Sequence, residues 1–296
     1  MRPLMTTVTA ADRPEVGTIY VLMPVHNRRA LTERFVRCLA AQTDQAFHLV
    51  LVDDGSRDGT SDAVLEVIPA ATVIHGSGNW WWAGSLEQGK RWLERQPASA
   101  DDLVLIANDD TTFEPDFLAA ARTAMRGGAR TLLLAQPYSE DTGLALALGA
   151  NVDWARLRFT SAERFEDVDV VPTRGLFLRR DDFHSLGGFH TVLLPHYLSD
   201  YEFTLRALRR GFQLRTDPSV RLVMDESSTG IRQKDFRSGS AYLRSLLTIK
   251  ATGNPLYWSS FVLLASPRRY LPVNLVRIWW RFAFGFVRAL KPRSRS

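Results

Sequence analysis

Three polar residues follow an apolar segment in the middle of the chain, and their types suit metal chemistry. Asn108, Asp109 and Asp110 come directly after five apolar residues, 103–107, which predict a strand buried on both faces. Adjacent carboxylates at the end of a buried strand repel each other and lose hydration, so they are most easily tolerated beside a cation. The pattern favours a site for Mg²⁺ or Mn²⁺ that carries a diphosphate. The alternative is that Asp109 and Asp110 only cap the helix beginning near Pro115.

A second apolar segment, residues 47–52, also ends in carboxylates, Asp53 and Asp54. Gly55 and Gly59 follow and permit a tight loop that a nucleotide can approach. An ordinary strand–turn–helix connection rich in turn formers would have the same composition. Two acidic strand ends in one sheet favour a ligand site, because ligands of open α/β sheets bind at the carboxyl ends of the strands.

Three consecutive indoles, Trp80, Trp81 and Trp82, lie between these two acidic segments. They cannot all face inward from one helix or strand. We expect at least one to line a cleft or a partner surface, where a flat ring can stack on a base or a sugar. The alternative is that two are core residues and the third is half-exposed packing.

Strand and helix patterns alternate along the first half of the chain. Pro24 ends the first strand and Gly76 begins the loop after the third. The alternation predicts an α/β fold with a mostly parallel twisted sheet, wound right-handedly and flanked by helices. The predicted strands are 19–23, 47–52, 71–75, 103–107 and 131–136, and the predicted helices include 31–42, 61–68 and 83–95.

Composition limits the class of protein. A chain of 296 residues that is 45% hydrophobic can bury one large core, or one core with a small appendage. The single cysteine, Cys38, lies within a helical pattern, so no disulfide framework is expected and a reducing compartment fits. Residues 1–17 contain no apolar stretch, and we expect a loose leader rather than a signal peptide or a membrane span.

The net charge of +5 is unevenly distributed. The last acidic residue is Asp235, and eleven Lys and Arg follow it. The first 235 residues hold 26 Lys and Arg against 32 Asp and Glu, so they are net negative. We therefore expect the tail alone to meet an anionic surface, and no nucleic-acid binding.

Three motifs, in this order and spacing, resemble the N-terminal half of a family 2 glycosyltransferase with the GT-A fold. They are residues 24–28, residues 53–60 and residues 108–110. The resemblance implies a Rossmann-like sheet and a nucleotide-sugar donor. It also implies that residues 108–110 occupy the place of the DXD motif, with Asp110 as the direct metal ligand. The donor-nucleotide residues that we predict are Pro24, Val25, His26, Asn27, Asp53, Asp54, Asn79, Trp82, Gly84, Asn108 and Asp109.

Two positions depart from the family pattern. Asn108 replaces the first DXD carboxylate, although an amide oxygen can still contact ribose or a metal-bound water. Glu87 stands where the family often has an asparagine near the diphosphate.

The resemblance continues in the second half of the chain. A Gly-Gly-Phe turn, residues 187–189, precedes an acidic motif at 199–203, and Asp200 matches the general base of the family. Helix capping is the alternative for Asp200, and Glu202 could instead pair with Arg206. His190 stands where the family often has an acidic residue, and a structural role is the alternative for both His190 and His196. The residues predicted for the acceptor or sugar pocket are Trp81, Gly187, Gly188, His196 and Glu202.

Asp225 or Glu226 stands where family members often carry a histidine. Either residue could therefore give the metal a further contact.

The tail from Tyr257 is apolar, aromatic and basic, without the roughly 20 uncharged residues that a span requires. On a helix, four basic residues fall within an arc of about 80°. They are Arg277, Arg281, Arg288 and Lys291, opposite Ile278, Trp279, Phe282, Phe286 and Leu290. The pattern predicts an interfacial helix on an anionic membrane. The alternative is a helix that covers the core of the protein or a second subunit in a homo-oligomer.

The sequence thus predicts a leader (1–17), a GT-A catalytic domain (18–235) and a basic amphipathic helical region (236–296). Within the catalytic domain, 18–112 would bind the nucleotide sugar and 113–235 the acceptor. We expect a cytoplasmic, peripheral membrane enzyme that transfers sugar with inversion to a glycan, plausibly a lipid-linked intermediate of a bacterial surface polysaccharide. A sugar-1-phosphate nucleotidyltransferase and a non-catalytic scaffold are the alternatives.

Overall fold

The computed structural model describes residues 16–128, 130–162, 164–225, 243, 246–249 and 251–290. Most of the predicted leader, Glu226 and Lys291 lie outside these residues.

Eight strands of the described chain form one mixed sheet in the order β3-β2-β1-β4-β9-β6-β10-β5. Neighbouring strands are parallel from β3 to β4 and between β6 and β10, whereas β9 is antiparallel to both β4 and β6. A separate hairpin contains β7 and β8. The strands are β1 Ile19–Val25, β2 Phe47–Asp53, β3 Thr72–His75, β4 Leu103–Ile106, β5 Thr111–Thr112, β6 Thr131–Ser139, β7 Ala150–Asp153, β8 Arg158–Ser161, β9 Leu176–Arg179 and β10 Gln213–Met224.

Helices cover both faces of this sheet because alternate strand residues point to opposite sides. In β1, Val21 and Met23 pack with α1, α2 and α4, whereas Leu22 packs with α3, α5 and α6. The helices are α1 Arg29–Ala40, α2 Thr60–Val67, α3 Trp81–Leu93, α4 Phe117–Ala124, α5 Arg180–Leu186, α6 Ser199–Arg209, α7 Pro255–Ala265 and α8 Leu271–Leu290. The predicted α/β class with a mostly parallel sheet is confirmed.

Three predicted boundaries were wrong. Strand β1 continues through Pro24, which pairs with Val52 of β2 but lies beyond the last β4 pairing, so its missing N–H costs no bond to β4. Helix α3 begins at Trp81, within the tryptophan run. The sequence pattern predicts two segments, 212–215 and 220–224, where the structure has the single strand β10, which is irregular between Asp217 and Arg221.

The predicted faces of the C-terminal helix α8 also need correction. Ile278 is only 6% exposed and packs with Leu157 and Val262, and Asn274 donates to the Trp154 carbonyl at 2.9 Å. Arg281 is on this protein-facing side as well, and donates to the Arg156 carbonyl at 3.1 Å. The exposed apolar stripe of the helix shares only Trp279 and Leu290 with the predicted apolar face. It consists of Val273, Val276, Trp279, Trp280, Phe284, Val287 and Leu290. Within the described residues, no helix has the length and apolarity to cross a bilayer.

A buried guanidinium at the start of α5 ties the second half of the sheet to the first. Arg180 is 7% exposed, and its Nη1 lies 3.2 Å from Asp102 Oδ2. Its nitrogens also donate to the carbonyls of Pro97 at 2.7 Å and Gln96 at 2.7 Å. Asp102 in turn accepts from the Thr18 N–H at 2.9 Å. Arg180 thus connects the segment before β4 to α5, and its ion pair with Asp102 is buried.

Replacing this arginine tests its contribution to stability. We expect Arg180→Met to lower the free energy of unfolding by about 3–5 kcal/mol, because it leaves Asp102 buried without its cation. Arg179→Met is the matched control, since Arg179 is less buried and bonds only to carbonyls; about 1 kcal/mol is expected there. Urea unfolding measures both, and equal losses would contradict the buried-pair argument.

Candidate active site

The acidic end of β4 is neutralised by an arginine from the start of α1. Arg28 Nε lies 2.9 Å from Asp109 Oδ1, and Arg28 Nη2 lies 3.5 Å from Asp110 Oδ2. The Thr32 hydroxyl donates to Asp109 at 3.1 Å. Burial raises the pKa of Asp109 to about 6, against the opposing effect of Arg28. The protein therefore engages both carboxylates, with Arg28 closer to Asp109 than to Asp110.

The acidic end of β2 organises two loops. The Asp54 carboxylate accepts from the N–H groups of Gly78 at 2.8 Å, Trp80 at 2.8 Å and Trp81 at 3.0 Å. Asp53 accepts from the Ser56 N–H at 2.8 Å. Both carboxylates are thus engaged with backbone donors and position the loops around the predicted nucleotide.

The loop after β1 is bonded to the loop after β2. His26 Nδ1 and the Asp54 carbonyl are 2.7 Å apart, and the Asn27 N–H donates to the Ser56 hydroxyl at 2.9 Å. Asn27 Oδ1 accepts from the Arg57 N–H at 2.8 Å, with Asn27 in the left-handed region at φ 52°. The structure therefore brings together the first two motifs, with Pro24 and Val25 leading into their junction.

The tryptophan run joins these motifs to the second half of the chain. The Trp82 indole N–H points to Asn108 Oδ1 at 3.5 Å, and the Trp82 ring lies 5.1 Å from that of Phe189. The Trp81 ring lies 6.0 Å from His196. All three indoles are half-buried, so none is wholly a core residue. Of the other predicted donor residues, Asn79 is exposed and Gly84 is buried beneath Trp80.

Asp200 lies in the first turn of α6. Its carboxylate accepts from the Tyr201 N–H at 2.9 Å, and burial raises its pKa to about 6. The positive charge of Arg174 acts in the opposite direction. A buried carboxylate whose pKa is near neutrality has one property of a general base.

Arg174 also relates Asp200 to the end of β4. Its Nη1 lies 3.6 Å from the sulfur of Met224, the last residue of β10. The next residue, Asp225, donates its N–H to the Asp110 carbonyl at 3.4 Å. The Asp110 backbone and the end of β10 are therefore adjacent, and the charge of Arg174, beside Met224, acts on Asp200. Nothing in the sequence pattern had distinguished Arg174 as a site residue.

Glu202, predicted for the acceptor or sugar pocket, is buried and paired with an arginine of the same helix. It is 4% exposed, and Arg206 Nη2 lies 2.9 Å from it. Arg206 also donates to the Gly188 carbonyl at 2.6 Å. The predicted pair between Glu202 and Arg206 is present, but it is buried rather than on the surface, and it holds the turn at Gly187 and Gly188. His190 lies 3.6 Å from Glu202, which agrees with a structural role.

A comparison with known families decides the assignment. The family described as Glycosyl transferase family 2 matches residues 20–183, more than half of the chain. The chain belongs to glycosyltransferase family 2. The matched segment contains all three motifs of the nucleotide half and the Arg174 position.

One curated relative of this glycosyltransferase is an N-acetylglucosaminyl-diphospho-decaprenol L-rhamnosyltransferase of Mycobacterium tuberculosis. It is 25% identical over 227 residues, which cover 67% of this chain and 73% of the relative.

Solved structures share the fold at low sequence identity. Staphylococcus aureus TarS, residues 1–349, has a TM-score of 0.57 at 13% identity, covering 94% of this chain and 93% of that one. GalNAc-T7 with UDP, GalNAc and Mn²⁺ has a TM-score of 0.57 at 12% identity, and the match spans 90% of this glycosyltransferase but only 55% of that chain. The mannosyltransferase PcManGT of Pyrobaculum calidifontis, with GDP-Man and Mn²⁺, has a TM-score of 0.51 at 17% identity, covering 95% and 82%. The predicted GT-A fold is confirmed.

The Asp54 contacts in this glycosyltransferase can be tested through stability. We expect Asp54→Asn to lower the free energy of unfolding by about 1–3 kcal/mol, because an amide cannot accept three buried N–H bonds. Asp58→Asn is the control: Asp58 also accepts from backbone N–H groups, of Arg29 at 3.0 Å and Thr60 at 3.1 Å, but it is exposed. A change in tryptophan fluorescence should accompany only the Asp54 variant. A larger loss at Asp58 would show that burial is not the cause.

Proposed function

We propose that this glycosyltransferase moves a sugar, with inversion, from a nucleotide-diphosphate donor to a hydroxyl of a lipid-linked glycan in bacterial surface-polysaccharide biosynthesis. The observation that carries the proposal is the position of Arg174 between Asp110 and Asp200: it contacts Met224, next to the bond between Asp225 and Asp110, and its charge acts on Asp200. A donor diphosphate at the first carboxylate and an acceptor hydroxyl at the second would then share one cleft. The name of the mycobacterial relative supports the lipid-linked class of acceptor.

The donor would lie along the carboxyl ends of β1, β2 and β4. Residues 24–27 and Asp53 would border the base and ribose, and Asn108 and Trp82 would follow toward the diphosphate. Arg28 lies beside Asp109 and Asp110, so its guanidinium is available to favour negative charge on the leaving group.

Mg²⁺ or Mn²⁺ at this end of the cleft would take some of its ligands from the protein and the others from the donor. Within the described chain, no three His, Cys, Asp or Glu side chains are grouped as a metal site. Asp110 would supply a carboxylate oxygen. The Asp225 N–H donates to the Asp110 carbonyl, so Asp225 is a neighbour of this residue. Diphosphate oxygens and water would complete the shell. When bound, the ion would stabilise charge on the departing diphosphate.

The proposed reaction needs one base and one displacement. Asp200 would accept the proton of the acceptor hydroxyl while that oxygen attacks the anomeric carbon. The new glycosidic bond forms as the bond to the diphosphate oxygen breaks, and the electron pair leaves with the nucleotide diphosphate. Direct attack from the opposite side inverts the anomeric carbon. Trp81, His196 and the turn at Gly187 and Gly188 would surround the sugar or acceptor.

Attachment to the cytoplasmic face of the membrane would bring such an acceptor to the cleft. The exposed stripe of α8 contains Trp280, at 71% exposure, and Phe284, at 62%. No acidic residue follows Asp235, so the surrounding surface favours anionic lipids. We propose a peripheral association through this stripe.

The base assignment is tested by Asp200→Asn. We expect kcat to fall by about 10²–10⁴ with donor affinity unchanged, because the variant removes only proton transfer. Since burial raises the pKa of Asp200 to about 6, kcat/KM of the wild type should fall with decreasing pH below about 6, whereas an ordinary carboxyl would give this limb near 3.8. Turnover with a nucleotide-sugar panel and isothermal titration with the donor measure these quantities.

Glu202→Gln is the companion variant on the same helix. Glu202→Gln should lower the free energy of unfolding. It should retain turnover and the fall of kcat/KM at low pH. Loss of turnover in the folded Glu202 variant, with activity retained at Asp200→Asn, would move the base to Glu202. Pyrophosphate-dependent turnover would instead identify a nucleotidyltransferase, and no turnover with any donor would favour a scaffold.

Metal use is tested by donor hydrolysis after chelation. EDTA should abolish hydrolysis and Mn²⁺ should restore it. In Asp110→Asn, the Mn²⁺ concentration for half-maximal rate should rise by about tenfold or more, because a charged oxygen ligand is lost. Asp62→Asn, a change at another acidic residue of the nucleotide half, should leave it unchanged. Full activity in EDTA would contradict the metal assignment.

Membrane association is tested by sedimentation with phosphatidylglycerol vesicles. We expect Trp280→Glu and Phe284→Glu each to weaken binding by about tenfold, because each removes a large apolar contact. Leu144→Glu, at a residue 69% exposed outside the tail, is the control. If these two substitutions leave vesicle binding intact and instead dissociate a dimer, the stripe is an interface of a homo-oligomer.

A further inference from the structure

A groove lies between α7, α8 and the β7–β8 hairpin, away from the strand ends that form the proposed donor site. Its volume is about 520 Å³, within the roughly 300–1,000 Å³ range of ligand sites. Most side chains along it are apolar, and one is cationic. They include Leu157, Pro255, Trp258, Ile278, Phe282 and Arg281. This composition suits an amphiphile that has a hydrocarbon chain and an anionic head.

Positive charge is concentrated at one side of the groove. Arg281 donates to the carbonyls of Arg156 at 3.1 Å and Leu157 at 3.4 Å rather than to a carboxylate. Burial lowers its pKa, and the charges of Arg277 and Arg158 lower it further. Asp153, in the adjoining hairpin, is paired with Arg156 at 3.1 Å. Arg277 lies one helical turn before Arg281 in α8, and Arg158 follows the groove residue Leu157 at the start of β8. Guanidinium groups in this arrangement favour a bound phosphate.

Aromatic contacts connect this groove to the proposed base. The Trp258 ring, which lines the groove, lies 5.5 Å from Phe159. The Phe159 ring lies 4.9 Å from Tyr201, the residue after Asp200. Only two ring contacts therefore separate the groove from the first turn of α6. An amphiphile bound here would therefore lie close to the helix that carries Asp200.

We propose that this groove binds the isoprenoid chain of the acceptor's lipid carrier, with a carrier phosphate beside Arg281, Arg277 and Arg158. The inference rests on the proposed function, because it assumes that the acceptor is lipid-linked, and it adds the location of the carrier. The exposed stripe of α8 is a separate surface: Phe282 faces the groove, whereas Phe284 belongs to the stripe. The helix thus meets the bilayer on one side and the carrier on the other.

Photolabelling of the full chain tests the site. The probe is farnesyl phosphate with a diazirine on its terminal isoprene unit, and the labelled residues are located by mass spectrometry. We expect labels on groove residues. Phe282→Glu and Arg281→Gln should each reduce labelling by about tenfold. The matched controls on the same helix, Phe284→Glu and Arg288→Gln, should label as the wild type does. Labels spread along the exposed stripe, or equal losses in all four variants, would overturn the proposal.

Competition distinguishes the two sources of phosphate-headed lipid. Unlabelled farnesyl phosphate should abolish labelling, whereas dioctanoyl phosphatidylglycerol at the same concentration should not. Equal competition would assign the groove to membrane phospholipid and overturn the carrier assignment. Circular dichroism melting of each variant reports whether it is folded. If Phe282→Glu unfolds, Arg281→Gln still tests the groove, because it changes an exposed residue.

Donor hydrolysis by the same proteins separates this inference from the proposed function. Phe282→Glu should hydrolyse donor as the wild type does, because the groove holds no part of the proposed donor site. Hydrolysis without groove labelling would overturn the carrier site alone. Groove labelling without hydrolysis would support the lipid site and contradict the transferase.

Discussion

Negative charge at the buried end of a strand has to be balanced locally, and this constraint shapes the cleft. Asp109 is balanced by Arg28 and Thr32, and Asp54 by three backbone N–H groups. Asp53 is likewise bonded to the Ser56 N–H, and Asp110 lies 3.5 Å from Arg28, so the protein engages all four carboxylates. These contacts fix the loops around the cleft without a bound ligand.

Much of the fold could be predicted because strand ends and motif order are local properties of the sequence. The apolar segment before Asn108 does form β4, and the two acidic loops lie at the same edge. The partners of these carboxylates could not be predicted, since they are distant in the sequence. Thr32 and Arg28 are 77 and 81 positions from Asp109 in the sequence. Neither the periodicity nor the motifs indicated which carboxylate these residues would contact.

The C-terminal helix shows a similar limit. A helical projection separates arginines from aromatic residues, and either face could have been the docked one. In the structure, Asn274, Ile278 and Arg281 all face the protein, because the hairpin of β7 and β8 offers both apolar contact and open carbonyls. Arginine has an aliphatic stem and can pack while its head bonds to the backbone. The presence of arginines on one face of α8 therefore does not identify the face that is exposed to solvent, and only the structure shows the exposed stripe.

The conformation of Trp81 has a consequence for the evolution of this cleft. Trp81 has φ 58°, in a region that large side chains rarely adopt. Such a residue costs on the order of 1–3 kcal/mol, which the Asp54 bonds help to offset. Glycine would relax the backbone but delete the indole beside His196. A substitution that makes the protein more heat-resistant would therefore remove the ring from the cleft. Selection for stability alone is expected to replace Trp81. If Trp81 is retained when variants are selected for both stability and activity, the indole is needed for activity.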